Sequence, residues 1–178
     1  MIRSLQQSIG LPVLLPDGKR VGRVLDIGFD EFWEAEFVVL DGGIGFRRKV
    51  RIVKWGDIVT SGEDALVIKD KAAICSMPRK SLLRTFHTGL IRMRELPVYT
   101  LEGQELGRVS DVYFRKTAGT QIAGYELTDG FLADVFEGRR RLYLPDGPKD
   151  LTLGEDAILV PASYERIMDR DLNAESDR

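Results

Sequence analysis

Cys75 and His87 are the only cysteine and the only histidine in this chain of 178 residues, and they lie twelve positions apart. A thiol beside an imidazole base is a nucleophilic pair when the two are held within hydrogen-bond reach. Both fall in or next to a connecting segment, a poor place to hold reacting groups at a fixed distance. A lone cysteine also excludes an intrachain disulfide and a thiol-held metal. Asp30, Glu31, Glu34 and Glu36 crowd four carboxylates into seven residues. A hard-cation loop needs defined ligand spacing and a glycine at its sharp turn. This stretch has neither, and it reads as a solvated hairpin rim. There is no glycine-rich phosphate loop, zinc spacing or dinucleotide fingerprint. The expectation is a protein that is not an enzyme, with no cofactor and no metal.

Asp26 and Asp111 invite comparison with an acid–base pair, but they are two instances of one position. Leu11 to Asp26 reads LPVLLPDGKRVGRVLD, and Leu96 to Asp111 reads LPVYTLEGQELGRVSD. Eight of these sixteen positions are identical at an offset of 85. Such a match is an internal repeat, so Asp26/Asp111 and Arg23/Arg108 serve something that both copies share. Further on, Glu36 to Gly42 aligns with Gly124 to Gly130 at an offset of 88, and Arg47 to Ile68 with Arg139 to Val160 at 92. The added residues fall between expected strands, where loops tolerate length changes.

The elements that carry these residues are short strands. Val13 to Leu15 and Val21 to Ile27 flank the Pro16-Asp17-Gly18 turn as a hairpin. Gly22, inside the second strand, marks a bulge or bend of the kind a small barrel needs at its corners. Alternation from Val24 puts Asp26 on a core face, where an unpaired carboxylate is costly. Either a bulge turns it outward or backbone amides hydrogen-bond it. Ala35, Phe37 and Val39 alternate as a half-buried strand, and Val50 and Ile52 face inward from a strand whose basic residues mostly face outward. A last strand covers Ala65 to Ile68. Five or so short strands broken by glycine turns indicate an all-β small barrel.

Leu-Pro-Val, the turn glycine Gly18 or Gly103, and then Val21-Gly22-Arg23-Val24-Leu25-Asp26 or Leu106-Gly107-Arg108-Val109-Ser110-Asp111 resemble the opening hairpin of the PRC-barrel domain. That family is named for the cytoplasmic barrel of the photosynthetic reaction centre H subunit, and a similar barrel occurs in a bacterial ribosome-maturation factor. The resemblance covers about 145 residues. It implies two tandem barrels and an adaptor role, and it carries no catalytic motif. The expected domains are residues 5–75, a basic linker at 76–94, and 95–172 including a C-terminal helix. In the linker Pro78 opens and Gly89 closes a possible helix, with Leu82, Leu83, Phe86 and Leu90 on one side. Tyr164, Ile167, Met168 and Leu172 set the helical spacing at the end of the chain.

Charge points to a partner. Residues 1–75 hold eleven basic and eleven acidic side chains, 76–94 hold five basic and no acidic ones, and 95–178 carry a net −7, within a total of −2. Arg47, Arg48, Lys49, Arg51 and Lys54, with Arg79, Lys80 and Arg84 of the linker, are the candidate partner-binding residues, forming one basic surface. The expected function is a binding or scaffolding protein that docks a protein partner. RNA is the alternative partner, as for a ribosome-associated maturation factor, with Trp55 and Phe46 available for stacking. A peripheral factor of a membrane-bound bioenergetic complex, associating through the basic joint, is a third reading; no run of about 18 apolar residues is present to span a bilayer. The start of the chain has no apolar run resembling a signal peptide, and the expected location is the cytoplasm.

Overall fold

The computed structural model describes residues 2–42, 48–115, 121–129, 140–144 and 148–164. Its strands, in chain order, are β1 (Ile2–Ser4), β2 (Pro12–Leu14), β3 (Arg20–Phe29), β4 (Ala35–Leu40), β5 (Lys49–Lys54), β6 (Ile58–Ser61), β7 (Leu66–Ile68) and β8 (Ile74–Pro78). They continue as β9 (Arg84–Thr85), β10 (Ile91–Arg92), β11 (Pro97–Thr100), β12 (Glu105–Arg115), β13 (Ile122–Thr128), β14 (Arg140–Tyr143), β15 (Thr152–Leu153) and β16 (Ile158–Val160). Every helical element among the described residues is a three-residue 3-10 turn. The chain divides into two compact units: Leu5–Arg92, and Met1–Ser4 together with Met93–Arg178.

In the first unit the strand order is β6-β7-β2-β3-β4-β5-β8, with β9 on β3 and β10 on β9. In the second it is β14-β13-β12-β11-β16-β15, with β1 on β12. The closing contact is parallel in both, β2 on β7 and β11 on β16, with Val13 opposite Leu66 and Val98 opposite Ile158. These four side chains are buried. The repeat is therefore a repeat of one curled sheet.

The long strands β3 and β12 hold each sheet together, and each is bulged twice at equivalent places. Val13 pairs with Gly22 but Leu14 with Arg20, leaving Val21 extra; Val98 pairs with Gly107 but Tyr99 with Glu105, leaving Leu106 extra. The second bulge lies between Val24 and Asp26, and between Val109 and Asp111. Bulges bend a strand and sharpen its twist, which lets one strand serve both ends of the curled sheet. The glycines match this geometry. At Gly107 the backbone is in the positive region, φ 131°, and a Cβ would stand 2.9 Å from an Asp129 carboxylate oxygen. At Gly22 a Cβ would meet the corresponding Asp41 oxygen at 3.1 Å.

Strand register corrects two of the sequence alignments. Val24 faces Leu40 and Val109 faces Leu127. Leu40 thus corresponds to Leu127, not to Thr128, and the strand offset is 87. Leu40 faces Arg51 while Leu127 faces Arg140, so Arg51 corresponds to Arg140 at an offset of 89 in place of 92. The offset of 92 holds for β7 and β16. The reason is the period of two: a one-residue slip would turn every side chain to the wrong face, so burial overrides a few identities at a turn.

The joint between the repeats is extended, which corrects the expected linker helix. β8 pairs with β5 over five residues, from Lys49 opposite Pro78 to Val53 opposite Ile74. Arg79–Ser81 form a 3-10 turn, and β9 and β10 follow. A helix this short has little stability of its own, whereas the edge of β5 offers a full ladder. Leu82 then packs on Phe37, Val39 and Ile52. β4 is consequently buried on both faces from Phe37 to Leu40, not half-buried as alternation alone suggested. At the other end, Ala162–Tyr164 form a 3-10 turn; the rest of the expected C-terminal helix lies outside the described residues.

Candidate docking surface

The strap 78–84 covers the outer face of β4 and β5 only in part. Beside it lies a groove of about 390 Å³. Phe29, Phe37, Ile52 and Met77 supply its apolar lining, with Leu83 from the strap. Asp30, Glu31 and Glu36 contribute carboxylates, and Lys54 and Arg84 contribute cations. Leu83 is 45% exposed, an apolar side chain lining the groove. The groove exists because β3 has a glycine where Phe37 needs room: a Cβ on Gly28 would meet the Phe37 ring at 2.1 Å. Gly28 and Phe37 are cross-strand partners. In the second unit the aromatic and the glycine change strands, with Tyr113 opposite Gly124, but a Cβ on Gly124 would meet the Leu142 carbonyl at 2.5 Å, not an aromatic ring.

The acidic hairpin beside the groove is built as a turn. The Asp30 Oδ1 accepts the amides of Phe32 at 2.8 Å and Glu34 at 2.9 Å. Trp33, at φ 59°, is buried and its ring lies 5.6 Å from that of Phe29. A large aromatic in the left-handed region is strained, and burying its ring against Phe29 offsets that strain. No group of three or more His, Cys, Asp or Glu among the described residues is placed to hold a metal ion.

The expected basic surface is divided by the pleat of β5. Successive side chains of a strand point to opposite faces. Lys54 shares the groove face with Ile52. Arg51 lies on the other face, where it donates to the Val21 carbonyl at 3.0 Å and the Asp41 carbonyl at 2.6 Å. Its counterpart Arg140 pairs with Asp129 at 2.7 Å. These arginines tie β5 or β14 to the turn after β4 or β13. At the start of β5, the Arg79 amide donates to the Arg48 carbonyl at 2.8 Å, and Lys49 sits opposite Pro78. Arg48, Lys49, Arg79 and Lys80 are all exposed, so the chain brings these four cations to one end of the β5/β8 pair. Lys54 and Arg84 meet separately at the groove. Arg47 and Phe46 lie outside the described residues, and Trp55 is half-buried in a 3-10 turn.

The corresponding face of the second unit is polar. Glu126 stands where the first unit has Val39, and it is buried. Tyr113 Oη donates to Glu126 Oε2 at 2.7 Å, and Ser110 Oγ to Glu126 Oε1 at 3.3 Å. The Arg141 guanidinium lies 5.7 Å from the Tyr113 ring centre. Burial, and then the hydrogen bond and charge of Glu126, raise the Tyr113 phenol well above its ordinary range. Tyr125, wholly buried in the same sheet, is raised by burial alone. Both phenols are therefore neutral at ordinary pH, the reverse of what general-base chemistry requires; Tyr113 donates to Glu126, and the buried Tyr125 hydroxyl has no hydrogen-bond partner among the described residues.

The two repeated aspartates are structural anchors. Asp26 is 0% exposed, so of the two expected outcomes the hydrogen-bonded one holds; the bulge turns Leu25 outward instead. Its carboxylate accepts the amides of Ile27 at 2.8 Å, His87 at 3.1 Å and Thr88 at 2.7 Å, and the Thr88 hydroxyl at 2.6 Å. Asp111 is likewise buried and accepts the Val112 amide at 2.7 Å and the Ser4 hydroxyl. Each aspartate thus fastens a segment from outside its own hairpin. His87 contributes its backbone here and sets its ring edge-on to Phe86, while Cys75 is exposed on β8. Sequence reasoning missed these anchored segments, although a hydroxyl residue in each, Ser4 and Thr88, was the available signal.

Comparison with known families agrees with this architecture. The model of the PRC-barrel domain matches residues 3–73 and again residues 92–167. The chain belongs to the PRC-barrel family. Its two sheets are two tandem PRC barrels, and the paired bulges, glycines and aspartates described above are features that the two barrels hold in common. No curated protein matches the chain. No helix among the described residues is long and apolar enough to cross a membrane.

Proposed function

We propose that this PRC-barrel protein is a non-catalytic docking module, and that its first barrel holds a protein partner across the groove between the strap and β4–β5. The groove carries the reading: it joins an apolar lining to charged side chains, whereas the same face of the second barrel is filled by its own polar network. Membership of a generally non-catalytic family supports it. The partner segment carries one apolar anchor beside an acidic stretch. The anchor occupies the Phe37–Met77 lining, and burial of one such side chain contributes about 1.5–3 kcal/mol. The acidic stretch faces Arg48, Lys49, Arg79 and Lys80, whose charges speed and orient the encounter more than they tighten it.

The test is affinity purification from the native host at two ionic strengths, with proteins and RNA both identified. Leu83→Asp blocks the anchor, and the combined Arg48→Gln, Lys49→Gln and Arg79→Gln chain weakens the cationic end. One protein retained by wild type and lost with Leu83→Asp is the expected result, with slower capture by the Gln variant at low salt. Enrichment of RNA alone, falling steeply with salt through counterion release, would replace this reading with the RNA-associated one.

A further inference from the structure

Ile2-Arg3-Ser4-Leu5 and Leu83-Arg84-Thr85-Phe86 present the same order of residue types: aliphatic, arginine, hydroxyl, apolar. β1 lies antiparallel on β12, with Ser4 opposite Tyr113 and Arg3 opposite Phe114. β9 lies antiparallel on β3, with Thr85 opposite Gly28 and Arg84 opposite Phe29. Gly28 and Tyr113 are equivalent at the repeat offset of 85, as are Phe29 and Phe114. The two short strands therefore occupy the same place on the two barrels. Burial agrees, for Ser4 and Thr85 are both buried. Both places adjoin a repeated aspartate, reached by the Ser4 hydroxyl in one barrel and by Thr88 in the other. The order along the chain, however, is crossed. The strand that precedes the first copy completes the second unit, and the strand that precedes the second copy completes the first.

We propose that these strands are one element of the repeat, exchanged reciprocally between the two copies. The edge of β12 beyond Asp111 is then a docking site for an extended aliphatic–Arg–Ser/Thr segment, occupied here by Ile2–Ser4. Strand addition explains the chemistry: ladder bonds hold the segment, and the side chains at alternate positions choose it. The hydroxyl on Asp111 sets the register, because a slip of one residue would carry it to the opposite face. A strand of three residues makes few ladder bonds, so this occupant is replaceable. Thr85 here turns its own hydroxyl to the Thr88 and Gly89 amides, but its place on β3 matches that of Ser4 on β12, so the segment around Arg84 and Thr85 is expected to fit the β12 site too.

The test uses the full chain with Ser4→Pro, which removes the hydroxyl and one backbone donor from its own leading strand. A fluorescein-labelled peptide with the sequence of residues 1–8 is titrated by anisotropy. Saturable binding at least tenfold tighter than to the wild-type chain is expected, because the wild-type site is filled. The same peptide with Ser4→Ala is expected to bind at least tenfold more weakly, and unlabelled peptide of residues 82–89 to compete. No saturable binding to a chain whose tyrosine circular dichroism remains native would overturn the proposal, as would equal affinity for the alanine peptide or failure of the second peptide to compete. Should Ser4→Pro not fold, hydrogen exchange of full-length Ser4→Ala decides. Amides of 111–115 are expected to exchange at least tenfold faster with 24–29 unchanged; no change, or an equal rise in both, refutes the docking role.

Discussion

Replacing Asp26 by asparagine keeps size and shape and removes the charge that holds His87 and Thr88. Three donors meet one oxygen of this carboxylate: the Thr88 amide at 2.7 Å, the Thr88 hydroxyl at 2.6 Å and the His87 amide at 3.1 Å, which it shares with the other oxygen. Asparagine can keep its own oxygen toward the Ile27 amide, which approaches the other one at 2.8 Å. Its amide nitrogen then faces the Thr88 amide, donor against donor. Two bonds to a charged acceptor are lost, at roughly 1.5–3 kcal/mol each. The Thr88 hydroxyl can rotate to accept from the new amide and restore about 1 kcal/mol, so the net loss is about 2–5 kcal/mol.

The chain offers a direct assay. Its two tryptophans, Trp33 and Trp55, both belong to the unit Leu5–Arg92, and its five tyrosines all belong to the other. Tryptophan fluorescence during urea unfolding therefore follows the first barrel, and tyrosine circular dichroism follows the second. With a urea slope of about 1–2 kcal/mol per molar, Asp26→Asn is expected to move the tryptophan midpoint down by about 1 M or more. Asp111→Asn should act mainly on the tyrosine signal. A tryptophan midpoint displaced by less than about 0.3 M, with the slope unchanged, would refute the anchoring role of Asp26.

Two further outcomes follow from the same geometry. Gly107→Ala should cost about 1–3 kcal/mol, because it places a Cβ at φ 131° and 2.9 Å from Asp129. Gly22→Ala, with its nearest contact at 3.1 Å and φ outside the positive region, should cost less; equal losses in paired urea melts would contradict this. Tyr113 and Tyr125 are both raised above the ordinary phenol value by burial. The folded state therefore holds these protons more tightly than the unfolded one. Stability is fully present below about pH 10, the unfolded phenol value, and falls as pH rises beyond it. Absorbance near 295 nm should show two phenols ionising only on unfolding, and their free titration in the folded chain would argue against this.

The duplication was legible in the sequence because its devices are local. A turn closed by glycine, a glycine beside a bulge and a period of two each act within a few residues, and both copies repeat them in order. Asp26 could likewise be read as a covered carboxylate in need of donors. What covers it could not be read, because the donors at His87 and Thr88 lie some sixty residues further along the chain. The same limit explains the joint. Its apolar residues fit a helical stripe, and only the ladder to β5 makes them strands. It explains the basic run as well, which looked like one surface until the pleat sent Arg51 to the carbonyls of Val21 and Asp41 and left Lys54 at the groove. Local pattern decides which way a side chain points, but tertiary pairing decides what it meets there. That is why the barrels were visible from residue order alone, while the groove and the crossed leading strands required the sheet edges to find their partners.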